Sequence, residues 1–197
     1  MTNLSFGESA STRAASHVWN DLPHEDTEVV MRVYVPATVS MLRALAADGE
    51  LAAVNNTAFA LTPALREYYQ AGDAEELEYA AMLDAARASL RLIATEMLAD
   101  PKTMPRRAVI SADIDDVKLR PDLDYAVVRL SAPVPVKLVA AVHVDGPDAE
   151  EAVRAAADVV DAADLGDPDA EFTLGSAEDH ELAWYAPQEL PFLLELL

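Results

Sequence analysis

His143-Val144-Asp145 is the densest set of residues in this chain whose types and spacing suit chemistry. Side chains alternate along an extended strand, so His143 and Asp145 are expected on the same side at a strand end. Strand ends that run into glycine-containing loops are where α/β proteins place their sites. An imidazole beside a carboxylate can bind a metal or act as a general base. The plain alternative is a half-buried histidine satisfied by its neighbours. A second set is Asp113, Asp115 and Asp116, three carboxylates just after an expected strand. Hard cations such as Mg²⁺ take oxygen ligands of this kind. The spacing matches no calcium loop, however, and turns collect Asp for backbone reasons. Taken together, the two sets give the enzyme reading: a metal-dependent hydrolase using His143, Asp145 and the Asp113–Asp116 cluster.

A third group is aromatic and points to binding. Tyr68 and Tyr69, with Trp184 and Tyr185, form adjacent pairs, and Tyr79 stands nearby. Neighbouring side chains on a helix or strand cannot both enter one core, so one of each pair is expected at the surface, where aromatics anchor interfaces. Charge narrows the partner. The formal net charge is -21. The last basic residue is Arg154, and 15 acidic residues lie between Asp145 and Leu197. Such a surface repels nucleic acid and anionic membrane. It suits a basic protein partner, or mimicry of nucleic acid by an inhibitor; it also suits nothing more than solubility. The usual motifs are missing: no GxxxxGK(S/T), GxGxxG, GxSxG or HExxH occurs, so no cofactor is implied. Of the four histidines, His17 and His24 read as solvated, and His180 sits in an acidic stretch.

The element that must position these residues is a helix predicted over 74–99. Tyr79, Leu83, Ala86, Leu90, Ile93 and Met97 make one apolar stripe; Leu77, Ala81, Ala85, Ala88 and Leu92 make a second, mostly of small residues. A helix apolar on two sides is expected between layers. Asp73 and Glu76 form a capping box, and Asp100-Pro101 ends the helix. Thr62-Pro63 opens a short helix that hairpins into the long one. Strands are predicted over 32–35, 107–112, 125–130, 137–144 and 181–185. Further helices are predicted over 38–47, from 148, and at the C-terminal FLLELL; residues 164–179 read as an acidic loop. The expected class is α/β (α+β): a single mixed sheet of about five strands, a long buried helix, and an αα-hairpin inserted after the first strand.

Composition sets the outer limits. A chain of 197 residues, 52% hydrophobic and without cysteine, excludes disulfides and thiolate chemistry and fits one globular domain over 31–197. Residues 1–30 are polar and aperiodic, and are expected to be a disordered or non-native N-terminal extension. With Arg13 their one basic residue and no continuous apolar segment in them, the protein is expected in the cytoplasm. MRVYVPAT, FALTPALREYY, GDAEELEYAAM, RRAVISADI, AVHVD and LAWYAPQEL resemble an actinobacterial family of uncharacterised proteins, carried as a domain of unknown function. That resemblance covers most of 31–197 and implies a bacterial cytosolic protein without assigned catalytic residues. The leading expectation is a non-enzymatic interaction or regulatory module that binds a protein partner, or a second copy through the small-residue stripe.

Overall fold

The computed structural model describes residues 30–197. The expectation for the N-terminal extension therefore lies outside the described residues, save Val30. In chain order the elements are β1 (Met31–Ala37), α1 (Val39–Asp48), β2 (Glu50–Leu51), β3 (Thr57–Ala60), α2 (Pro63–Tyr69), α3 (Ala74–Ala99), β4 (Ala108–Ile114), β5 (Val117–Leu119), β6 (Val127–Leu130), β7 (Val134–Pro135), β8 (Val139–Asp145), α4 (Glu150–Asp164), α5 (Pro168–Glu178), β9 (Leu182–Tyr185) and α6 (Leu190–Leu196).

The main sheet has seven strands in the order β5-β6-β3-β1-β4-β8-β9, and β2 with β7 forms a separate pair. Every ladder among them is antiparallel. This corrects the expected mixed sheet of five strands. The hairpin α2–α3 also follows β3 rather than β1. It carries the chain across β1, from β3 on one side to β4 on the other. The expected acidic loop contains α5, whose N-cap Asp167 accepts hydrogen bonds from the backbone N–H groups of Asp169 and Ala170.

Alternation along the strands sorts the two faces of the sheet. Val33, Val35, Ile110, Ala112, Val128, Val142 and Val144 share one buried cluster with Leu42 and Leu45 of α1 and Leu190 and Leu193 of α6. Tyr34 and Val109 point the other way and pack with Ala81, Met82, Ala85 and Ala86 of α3. The helix is one continuous rod, closed at its start by the expected capping box. Its small residues let it lie close to the sheet, where buried Ser89 donates to the carbonyl of Ala37 (2.7 Å) and accepts from the N–H of Ala108 (3.2 Å). Leu90 and Ile93, further along, pack with Val153, Ala156 and Val160 of α4 and Leu174 of α5. So α3 lies between two layers over its later half, while Tyr79 and Leu83 stay exposed in its earlier half. Because Leu77, Ala81 and Ala85 are buried within the chain, the small-residue stripe is not open to a second copy.

Candidate functional site

On the sheet face that carries α3, four neighbouring strands bring a polar strip together beyond the helix. Arg32 of β1 and Asp113 of β4 form a bidentate pair, Nε to Oδ1 at 2.6 Å and Nη2 to Oδ2 at 3.1 Å. Two residues back along β4, Ser111 Oγ lies 2.8 Å from His143 Nε2 of β8. Trp184 of β9 stands directly across from His143 and is 61% exposed. Tyr34 of β1 closes the strip against α3, its hydroxyl donating to Glu78 at 3.2 Å. Burial, with the charge and hydrogen bond of Glu78, pushes the Tyr34 hydroxyl up to about 12, so it stays protonated. His143 is shifted below its usual range by burial first and by the Arg32 cation second. It is therefore a neutral ring beside a hydroxyl.

A hydroxyl against a neutral imidazole is the first requirement of an activated nucleophile. The second is a group that orients the imidazole through its other nitrogen. No hydrogen bond of a described residue reaches His143 Nδ1. Asp145, the carboxylate expected beside His143, does lie on the same side of β8, but it is withdrawn into the protein. Asp145 accepts from Arg107 Nε at 2.8 Å, from Arg107 Nη2 at 2.7 Å and from the Arg107 backbone N–H at 2.7 Å. Both of its carboxylate oxygens are engaged inside the protein.

The Asp113–Asp116 set is also divided. Asp113 is held by Arg32, whereas Asp115 and Asp116 are exposed in the turn between β4 and β5. Among the described residues no group of three or more His, Asp or Glu side chains is placed to hold a metal ion. Of the aromatics, Tyr68 stacks on Tyr125 with ring centroids 4.5 Å apart and meets Tyr69 edge-on at 5.3 Å. Both helix tyrosines are exposed, so the expectation of one exposed member per pair holds only on β9. There Trp184 is outside, while Tyr185 packs half-buried against the cluster of α1 and α6.

Sequence reasoning did not single out Arg32, Ser111 or Asp84. Ser111 carried a signal, a polar residue alternating with Val109 on one strand face. Arg32 and Asp113 are 81 positions apart, and no local spacing relates them. The described helices include none long and apolar enough to cross a membrane. No curated protein and no solved structure matches the chain. A family model does match over residues 31–194, and by that match the chain belongs to the Family of unknown function (DUF6912).

Proposed function

We propose that this protein works by binding a protein partner rather than by catalysis, and that the partner meets the sheet at β9. The observation that carries this reading is Trp184, exposed on a strand with no neighbour on its outer side among the described residues. An edge strand leaves backbone N–H and C=O groups open to an added strand. A large exposed aromatic beside it supplies the anchor that interfaces use. Exposed Glu178, Asp179, Glu181 and Glu189 flank β9, so charge favours an extended, basic segment. The chain has 11 Arg against 3 Lys and abundant Ala, which supports a high-GC host such as an actinobacterium, and a chain without cysteine fits the reducing cytoplasm of such a host.

The test compares capture from native lysate by wild-type protein, Trp184→Ala, and Phe172→Ala, which removes an exposed aromatic of α5. Basic proteins kept by the wild type and by Phe172→Ala but lost by Trp184→Ala are expected. Identical capture by all three would reject the reading. A hydrolytic enzyme is the competing reading, favoured by the Ser111–His143 contact. Its metal form would rest on His143 and Asp113 without Asp145. A melting temperature unmoved by Mg²⁺, Mn²⁺ or Zn²⁺, and unchanged between wild type and His143→Ala in their presence, would remove that form.

A further inference from the structure

A cavity of about 270 Å³ lies between the end of α2, the middle of α3 and the end of α5, and of the residues placed at the β9 edge it shares Glu178 alone. At its base is Arg107, a buried cation. Arg107 Nε and Nη2 are committed to Asp145, and Nη2 also reaches the carbonyl of His180 at 2.7 Å. Its remaining nitrogen, Nη1, has no hydrogen-bond acceptor among the described residues, and Arg107 is one of the residues that line the cavity. Asp84 of α3 is the reverse case, a half-buried carboxylate with no hydrogen-bond donor among the described residues. Arg87, one turn away, is already engaged by Glu171 at 2.8 Å, Glu178 at 3.6 Å and Asp164 at 3.8 Å. The strain on Asp84 shows in its acidity. Burial and the charge of Asp124, with Glu178 adding and Arg87 opposing, push its carboxyl up to about 6.

What this cavity lacks is therefore one acceptor at Arg107 and one donor at Asp84. A lone anion would answer the arginine and meet two carboxylates, Asp84 and Glu178. A lone cation would answer the carboxylates and face two arginines. We propose that the cavity binds a small zwitterion of amino-acid size, its carboxylate received by Arg107 Nη1 and its ammonium by Asp84 with Glu178. The volume is of the order needed for a single amino acid. Tyr69 and Leu83 line the same cavity and offer apolar surface to a side chain. Charge-assisted bonds at both ends would fix the ligand's orientation.

The experiment screens the twenty amino acids against the full chain by melting temperature at millimolar concentration. The best one then goes to calorimetry beside its decarboxylated amine and its deaminated acid. At least one amino acid raises the melting temperature, as any ligand of the native state does; neither single-charge counterpart does so. Asp84→Asn weakens the binding at least tenfold, and Trp184→Ala leaves it unchanged. Glu178→Gln, on the exposed end of α5, gives a smaller loss and serves if Asp84→Asn does not fold. No stabilisation by any amino acid would overturn the proposal. So would an amine or acid that binds equally well, or full affinity in both carboxylate variants.

Discussion

Two arginine–aspartate pairs bridge neighbouring strands on the same face of the sheet. Arg107 and Asp145 join the start of β4 to the end of β8, and their side chains are 1% and 0% exposed. Arg32 and Asp113 join β1 to the other end of β4, and theirs are 38% and 44% exposed. Both pairs are bidentate, with closest approaches of 2.7 Å and 2.6 Å. Geometry does not separate them; water does. Moving an ion pair out of water costs several kcal/mol per ion. Around Arg107 that cost is offset by three bonds to Asp145 and one to the carbonyl of His180. The outer pair avoids most of the desolvation and gains little from the attraction. One pair therefore holds strands together, and the other shapes the potential of an open surface.

The largest expected effect tests the inner pair. Arg107→Ala leaves Asp145 charged and buried without its partner, and should cost about 3–5 kcal/mol. Urea unfolding measures it, and a cost under about 1 kcal/mol would erase the distinction between the pairs. The double change Arg107→Met with Asp145→Leu should recover most of that loss, since an apolar replacement leaves no orphan charge. A neutral group sharpens the point. Ser89 is buried and links Ala37 to Ala108 through one hydroxyl. Ser89→Ala should cost about 1–3 kcal/mol by stranding a carbonyl and an N–H. If burial rather than charge sets the worth of a polar contact, this uncharged serine outweighs the exposed Arg32–Asp113 pair. The reverse ranking in the same urea series would refute that.

The same contrast explains what could be read from the sequence. The helix α3 was legible because its signals are local: two stripes at helical spacing, Asp73 with Glu76 at one end and Asp100-Pro101 at the other. The sheet was under-read where strands are short, as in β3 (TAFA) and β5 (VKL), and where direction depends on distant pairing. Helix α5 was hidden by the Asp, Gly, Ser and Thr in its length, although Asp167-Pro168 is a helix start in its own right. At the site, alternation placed His143 and Asp145 on one side correctly. It had no means of showing that Asp145 answers to Arg107, 38 positions earlier. Partner choice across strands is a property of the folded sheet, and so is the burial that separates the two pairs.

Between these extremes stands Asp84, half-buried and without a pair. Arg87 of α3, Arg107 before β4, Glu178 of α5 and Asp124 of the loop before β6 are the charges around it. Its carboxyl in the folded state sits at about 6, above the ordinary 3.8. The native state therefore holds the proton more tightly than the unfolded chain does, and stability from this group grows as pH falls from about 6 towards 3.8. Above that window the buried charge is a full penalty. Asp84→Asn should raise stability near neutral pH by about 1 kcal/mol after allowance for solvent screening. The gain should fade below the ordinary carboxylate range. Urea midpoints at the two pH values decide it, and a less stable Asn variant at neutral pH would mean that Asp84 has a donor after all.

The smallest effect on stability belongs to the outer pair, and it carries the most information about the strip. Arg32→Ala should cost less than about 1 kcal/mol, because the lost contact is largely exposed. Its consequence should appear instead at His143, whose proton affinity is lowered by burial and then by the Arg32 cation. Removing that cation, and freeing the Asp113 carboxylate beside it, should raise the His143 pKa in an NMR titration of the ring. Burial remains, so the value should stay below the ordinary 6.5. The linkage follows with its sign. A histidine held neutral in the fold contributes stability above 6.5, and loses it as pH falls from there towards its folded value. In Arg32→Ala that window narrows from its acid end, so acid destabilisation from this group shrinks. An unchanged or lower His143 pKa would mean that neither Arg32 nor the freed Asp113 carboxylate is felt at the ring. The outer pair would then be inert in both stability and potential, and exposure would have removed its influence altogether.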